Sequence, residues 1–415
     1  MRVALIDPSL FTLPYDARLA AGLRAIGHAV SLHGRRQRAE DGGVLEPPVV
    51  PSFYSVAGLP ALQQLPKPLR LGIKGIDHLV SMARLRGKLA RERPDVIHFQ
   101  WLPLPAVDSR FLAGLRSLAP LVLTVHDSNP FNGNPAAGVQ QHGLPASFRQ
   151  FDRLIVHTAQ GRARLQEQGV DGDRIAILPH GLLISPNHRE GSGDVDGREI
   201  EFLLFGKLKP YKGADLLIQA FARVLPAVRA RARLRIIGKP YMDLAPLRDL
   251  ADRLGVADRV AIEPRFVTDS EIPGLFGPRS VAVFPYREIE ASGVLSLAIA
   301  HARPILASRL GGFAETVRDG LDGLLVPPGD VAALADAMAR FVGDDDFVAA
   351  CARNVAALAD AIPDWREIAC RTSAVYRAAA ASQARDDGLV TPLATPTGRA
   401  NRSAAPPRPS AGVRP

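Results

Sequence analysis

An α/β protein with two parallel-sheet domains is the fold class the sequence predicts, and three observations predict it. Short apolar runs alternate with longer segments of helical spacing along most of the chain. Several runs are nearly continuous Val, Ile and Leu, as expected of parallel strands covered on both faces. A stretch rich in Gly, Pro, Asn, Ser and Asp at 185–198 divides the runs into two groups of similar size and reads as a linker or exposed hairpin. A length of 415 residues suits more than one domain.

The strands follow in order. Val3–Ile6 is four apolar residues with Asp7 directly behind them, so the N-terminus reads as a first strand and not as a signal peptide. Ala29–His33, Val96–Phe99, Leu121–Val125, Arg153–His157 and Ile175–Leu178 complete the first group. The second group is Glu201–Phe205, Leu234–Gly238, Val260–Glu263, Val281–Pro285, Ile305–Ala307 and Gly323–Val326. The intervening segments have helical period: in Ala214–Leu225 the residues Leu216, Leu217, Ala220, Phe221 and Val224 share a face. Strand–helix–strand repetition implies right-handed crossovers, hence two Rossmann-like domains facing across a cleft, expected at 1–184 and 199–362. The Pro-, Ala- and Arg-rich stretch 383–415 has too little apolar surface to offset the entropy of ordering and is expected to be disordered.

Composition narrows the classes. Hydrophobic residues are 47% and charged residues 22%, ordinary for a globular protein. Lys+Arg 51 against Asp+Glu 42 gives +9, which suits anionic partners without choosing among them. Cys351 and Cys370 are too few for a disulfide scaffold or a Cys-based zinc site, and both are expected as buried thiols on helices in a reducing compartment. No apolar run is long enough to span a membrane, so a cytoplasmic protein is expected. Residues 67–93 are strongly basic, with Arg84, Lys88 and Arg91 on one helical face. That face is either solvated or docks peripherally on anionic membrane, the inner face of the cell membrane being the expected place.

Four segments carry chemistry. Phe205–Gly213, FGKLKPYKG, follows a strand and opens a helix. Its three lysines and the helix N-terminus could neutralise a diphosphate, or the segment is a basic surface turn. Phe284–Leu295 also follows a strand, and Ser292-Gly293 starts an apolar helix there. The backbone N–H groups of Ser292, Gly293, Val294 and Leu295 make an anion site, while Glu288 and Glu290 could accept from sugar hydroxyls or simply cap the helix. His126-Asp127 ends the strand Leu121–Val125, and His180-Gly181 ends the last strand of the first group. Strand ends of this kind point into the ligand crevice of an open α/β sheet. Finally, the glycines of Leu310–Glu315 permit close approach of a ligand to backbone, or form a plain loop.

Taken together, these segments resemble the retaining glycosyltransferases of family 4, which have the GT-B fold. The resemblance runs from Met1 to about Ala380. FGKLKPYKG is similar to the family's G-R-x-x-x-x-K-G donor-phosphate motif, with Gly206 and Lys212 matching and Lys207 standing where Arg is usual. Lys for Arg keeps the charge and loses the bidentate fork. RPILASRLGGFAETVRDGLDGLLVPPGD resembles the family's G-x-P-V-V-A-T-x-x-G-G-x-x-E block closely. PDWREIACRTSAVYR resembles the closing helix that crosses back to the N-terminal domain, expected at 363–382. His126 matches the family histidine beside the transferred sugar. The family's E-x7-E pair is altered: Leu297 holds the second position, and Glu288 or Glu290 stands near the first. SGVLSLAIAHARP resembles a variant with S-G-V in place of G-F-G, for which Glu288 is the better match. The Gly-Gly loop after the first strand is replaced by Leu13–Asp16.

The resemblance implies transfer of a sugar from a nucleotide diphosphate sugar to a glycan, lipid-linked or small-molecule acceptor, with retention and no metal. On that reading His126, Asp127, Glu288 and Glu290 act on the sugar. Gly206, Lys207, Lys212, Ser292–Leu295, His180 and Gly181 hold the donor. No Asp-x-Asp cluster accompanies the phosphate segments, and no cofactor or nucleic acid is expected. A sugar-nucleotide epimerase of the same fold and a non-catalytic nucleotide-sugar-binding protein are the rivals. A nicotinamide-dependent dehydrogenase fits poorly, since no G-x-G-x-x-G follows the first strand.

Overall fold

The computed structural model describes residues 1–38, 41, 47–59, 62, 64–127, 143–186, 199–290 and 292–386. Its first sheet contains β1 (Arg2–Ile6), β2 (Ala29–Arg35), β3 (Val49–Phe53), β4 (Val96–Phe99), β5 (Leu121–Val125), β6 (Arg153–Val156) and β7 (Ile175–Ile177). They are ordered β3-β2-β1-β4-β5-β6-β7, and every pair is parallel. The second sheet contains β8 (Ile200–Phe205), β9 (Ala232–Ile237), β10 (Val260–Glu263), β11 (Ser280–Phe284), β12 (Ile305–Ser308) and β13 (Gly323–Val326). Its order, β10-β9-β8-β11-β12-β13, repeats the winding of the first, again all parallel. The predicted α/β class with two Rossmann-like sheets is therefore what the chain adopts.

β3 was not expected. Pro51 within VVPSF removes a backbone donor and argues against a central strand, but β3 lies at the sheet edge, where a proline is tolerated. The register of β2 on β3 shifts at Gly34/Arg35, close to the proline.

The helices that matter below are α1 (Leu13–Ala25), α2 (Lys67–Glu92), α3 (Pro105–Arg116), α4 (Ala159–Glu167), α5 (Ala214–Arg223), α6 (Gly293–Ala300), α7 (Gly311–Thr316), α8 (Asp345–Ala361) and α9 (Trp365–Asp386). In each sheet the apolar side chains form a cluster on both faces, which is why the strands read as unbroken apolar runs. α9 crosses back: Ile368, Ala369, Val375, Tyr376 and Ala379 complete the apolar cluster formed by β1, α1 and their neighbours. The approach is close at Gly22, where a Cβ would lie 2.2 Å from the Trp365 carbonyl oxygen. His98 Nδ1 bonds the Tyr376 hydroxyl at 2.8 Å, and His28 bonds Ser373 at 2.9 Å. The helix continues to Asp386, past the boundary expected at 382. Residues 387–415, expected to be disordered, and most of the expected linker, 187–198, lie outside the described residues.

Two smaller expectations are also settled. Cys351 is buried on α8, but Cys370 is exposed on α9, because the apolar face of α9 is carried by Ile368 and Ala369 instead. Among the described residues no helix is long and apolar enough to cross a membrane.

Candidate active site

The winding locates the site. In an open parallel sheet the crevice lies beyond the C-terminal strand ends, where the strand order reverses. Here that point falls between β1 and β4 in one sheet and between β8 and β11 in the other. The loop after β8 is FGKLKPYKG and the loop after β11 is PYREIE, so the two chemistry-bearing segments of the second half are neighbours by topology.

Lys212 is the centre of that half. Its side chain is 5% exposed; Nζ donates to the Phe205 carbonyl at 3.3 Å and sits 5.0 Å over the Tyr286 ring. Burial, and then Lys207 and Lys209, lower its pKa from 10.5 to about 7. Lys207 is also lowered, by burial and by Lys209 and Lys239, and its Nζ lies 4.3 Å over Phe11 from the opposite domain. Gly213 lets the loop turn into α5: its φ is +68°, and a Cβ there would lie 2.0 Å from the Pro285 carbonyl oxygen. Gly206 is equally constrained, with φ +109° and Lys212 Nζ and Val294 Cγ2 against it. Gly206, Lys212 and Val294 are thus brought together.

A clamp fixes the two loops to each other. Arg287 donates to both Asp215 oxygens, at 2.9 and 2.6 Å, and to the Pro210 carbonyl, while its backbone N–H donates to Tyr211 O. Neither Arg287 nor Asp215 stood out in the sequence, since Arg287 follows β11, Asp215 opens α5 and only the fold joins them. Ser292 caps α6, its Oγ accepting from Leu295 N. Glu288, four residues before Ser292, is half-buried. Glu290 is 4% exposed and turns elsewhere: its Oε1 would stand 2.8 Å from a Cβ on Gly161, against the first turn of α4 in the other domain.

The first half of the site is an aromatic and imidazole cluster. The Tyr15 ring packs against His126, His157, His180 and Trp365 at centroid distances of 4.7, 5.3, 5.2 and 5.1 Å. His157 Nδ1 donates to the Leu178 carbonyl at 3.0 Å, leaving Nε2 as an acceptor, and His126 Nδ1 lies 3.1 Å from it. His126 Nε2 lies 3.2 Å from Gln100 Oε1, also an acceptor, so both ends of the ring face acceptors and compete for its one proton. Burial pushes His157 down to about 3 and His126 well below its usual range, so both imidazoles are neutral. A recess of about 20 Å³ between Gln100, Trp101, His126, Asp127 and Phe148 opens beside them. Asp127 faces the second domain, raising the pKa of Tyr211, which burial lifts first, to about 12. His180 belongs to this imidazole cluster, and Gly181 packs beneath Trp365 and Ile368 of α9, so the pair sits with His126 and not with the lysines. Tyr15 and His157 were missed in the sequence; a tyrosine on a helix and a histidine at a strand end carry no local signal of their convergence.

At the glycine pair 311–312 it is protein that makes the close approach to the backbone. A Cβ on Gly311 would meet the Ile289 carbonyl at 2.3 Å and Gln160 Oε1 at 2.9 Å, and Gly312 N donates to Glu290 O. Glu315 on the same helix accepts from Ala159 N at 2.7 Å and Gln160 N at 2.9 Å. A carboxylate of the second domain thus caps a helix of the first. Among the described residues no three His, Cys, Asp or Glu side chains are grouped so as to hold a metal ion.

Two domains of identical winding, closed on a cleft with lysines on one wall and neutral imidazoles on the other, define the GT-B class. The chain belongs to the group 1 glycosyltransferases: residues 199–344 match the family "Glycosyl transferases group 1" and residues 14–181 match "Glycosyl transferase 4-like domain". The D-inositol 3-phosphate glycosyltransferase of Geodermatophilus obscurus is 30% identical over 317 residues, which are 70% of this chain and 68% of that one. Among solved structures, HepE of Anabaena in complex with UDP-glucose superposes with a TM-score of 0.70 at 18% identity, covering 91% of this chain and 99% of the other. Sucrose-phosphate synthase from Thermosynechococcus elongatus gives 0.72 at 20% identity, covering 91% and 98%.

Proposed function

We propose that the protein transfers a hexose from a nucleoside diphosphate sugar to an acceptor held by the first domain, with retention of anomeric configuration and without a metal. The observation that carries this reading is Lys212, a buried lysine at a sheet switch point with a second lysine beside it and the start of α6 facing it. Breaking the bond from the anomeric carbon to the β-phosphate leaves negative charge on the diphosphate. On this reading Lys212, Lys207 and the N–H groups of Gly293–Leu295 stabilise that charge as it grows, and so act chiefly in the transition state. Glu288 accepts from sugar hydroxyls. His126, held neutral by burial, lines the sugar face of the cleft with Asp127 beside it. Closure through Glu315 and Glu290 keeps water from the donor. A cytoplasmic location and peripheral membrane contact through α2 remain part of the same proposal.

HepE is bound with UDP-glucose, so UDP-glucose is the first donor to test, beside GDP-, ADP- and dTDP-sugars, by thermal shift with and without EDTA. One donor is expected to raise Tm equally in both conditions, and the product's anomeric configuration, read by NMR, is expected to match the donor's. Stabilisation lost with EDTA, or an inverted product, overturns the corresponding part of the reading. Donor converted to its epimer without acceptor, or never consumed, replaces it with one of the rivals.

A further inference from the structure

Three lysines stand in the loop after β8, and each rests on an aromatic face. Lys207 Nζ lies 4.3 Å over the Phe11 ring, Lys209 Nζ 5.8 Å over Tyr211 and Lys212 Nζ 5.0 Å over Tyr286. Among the described residues none of the three forms an ion pair, and the charged groups that act on Lys207 and Lys212 are other lysines. Elsewhere in the same domain cations are matched with carboxylates: Arg233 with Glu201, Arg235 with Glu263, Arg287 with Asp215 and Arg318 with Asp322. The lysine loop departs from its own domain in this respect.

Lys212 is buried, and its ammonium meets three surfaces. The Phe205 carbonyl accepts from Nζ at 3.3 Å, Gly206 leaves room where a Cβ would lie 3.0 Å from Nζ, and the Tyr286 ring covers the remaining side. That ring cannot move aside. Tyr286 is buried, and the rings of Tyr211, Phe284 and Phe313 pack edge-on against it at 5.8, 5.8 and 5.3 Å. Its chain neighbours are held as well: the Pro285 carbonyl lies against Gly213, and Arg287 grips Asp215. The Tyr286 hydroxyl is buried beside Ser292 without a close hydrogen bond, so the ring face is what this residue contributes.

A carboxylate and a ring face hold an ammonium differently. A carboxylate neutralises it, and repels any diphosphate that comes to the same lysine. A ring face attracts the ammonium through its quadrupole and carries no net charge, and the attraction is strongest where water is excluded. The lysine then keeps its whole charge for an incoming anion, with Nζ already in place. We propose that Tyr286 is a positioning residue of the donor site, its ring face standing in for a counter-ion and holding the Lys212 ammonium ready for the diphosphate. This rests on the transferase reading for the identity of the anion. The other charged groups around Lys212 are accounted for. Lys207 and Lys209 face it from its own loop, Arg287 of the β11 loop is paired with Asp215 of α5, and α6 carries no charged side chain. Glu288 and Glu290 follow further along the β11 loop, and Asp127 of the first domain faces Tyr211.

The test begins in the free protein. The full chain is prepared with isotope-labelled lysine, and the Lys212 NMR signal is assigned by its absence from Lys212→Ala. Its titration midpoint is compared in wild type, Tyr286→Phe and Tyr286→Leu. Removing the ring face removes a stabiliser of the charged form, so the midpoint is expected to fall by about one pH unit in Tyr286→Leu and to stay in Tyr286→Phe. A midpoint unchanged or raised in Tyr286→Leu overturns the proposal, and so does an equal fall in Tyr286→Phe, which assigns the effect to the hydroxyl. Should a thermal melt show that Tyr286→Leu does not fold, Tyr286→Met, unbranched and apolar, takes its place with the same expected fall. UDP-glucose binding is then measured by calorimetry. Tyr286→Leu is expected to bind it roughly tenfold more weakly than wild type at about pH 7.5, and nearly as well at about pH 5.5, where the lysine is charged in both. Tyr286→Phe should match wild type throughout. Weakening of the same size at both pH values is what lost packing alone produces, and it overturns the charge-holding role. Absence of UDP-glucose binding in the wild type counts against the donor reading and leaves the lysine titration to decide the part played by Tyr286.

Discussion

The loop after β1 and the loop after β8 occupy equivalent places in two sheets of the same winding, yet they carry opposite charge. After β8 the chain places Lys207 and Lys212 behind glycines with positive φ. After β1 it buries two carboxyls, Asp7 and Asp16, both 0% exposed. Asp7 accepts from Ser9 N and Thr12 N at 3.1 and 2.9 Å, and Thr12 Oγ1 lies 3.1 Å from Asp16. Burial raises both carboxyls, Asp16 well above its usual value with Asp7 adding to the shift. The loop is shaped by its own side chains. Topology thus supplies the crevice twice, and local sequence decides that one copy is lined by lysines while the other is filled by its own carboxyls.

The largest expected effect breaks the basic copy. Lys212→Ala is expected to lower turnover by about 10²–10³-fold, the loss typical of one charge-stabilising donor. Its melting temperature should not fall, since the lysine is buried at a cost. Initial rates and a thermal melt check both.

Next comes the acidic copy. Asp7→Ala removes the acceptor of two backbone N–H groups and should cost about 2–4 kcal/mol in urea denaturation. Asp16→Asn keeps a neutral side chain of the same shape and should cost much less. Because Asp16 is raised in the folded state, the native protein binds more protons than the unfolded chain at pH above 3.8. Its contribution to stability is therefore present below that pH and lost as pH rises through the folded value. Asp16→Asn should flatten that fall.

A subtler difference appears in the pH dependence of donor binding. Lys212, lowered to about 7, is charged below that value and neutral above it, whereas the bound diphosphate favours the charged form. Donor affinity is expected to decline as pH rises above about 7, with net proton uptake on binding there, measurable by calorimetry in buffers of different ionisation enthalpy. The smallest effect concerns what joins the two walls. Glu315→Ala removes the cap on α4, worth about 1 kcal/mol, and should raise the donor KM severalfold while leaving each domain folded.

The same contrast governs how much was legible in the sequence. The lysine loop and the start of α6 are contiguous motifs, so their residues and their neighbours on the strands could be read directly. Most strands were legible because burial on both faces leaves mainly apolar residues in them. β3 was not, because Pro51 disqualifies a central strand and nothing local reveals an edge. Residues 67–93 read as a basic helix face, solvated or docked on anionic membrane, and nothing local shows what packs beside it. Glu290 read as a partner for sugar hydroxyls or a helix cap, and Glu315 carried no reading of its own, since a sequence does not show that another domain will arrive at their carboxylates.

One feature of the fold bears on how the protein is made. Ile368, Ala369, Val375, Tyr376 and Ala379 belong to the core of the domain that is translated first. While the ribosome is still adding the second domain, the groove on α1 that accepts α9 stands open to water. The first domain stays incomplete until synthesis has passed Ala379, so the nascent chain must keep that groove from aggregating for most of its translation.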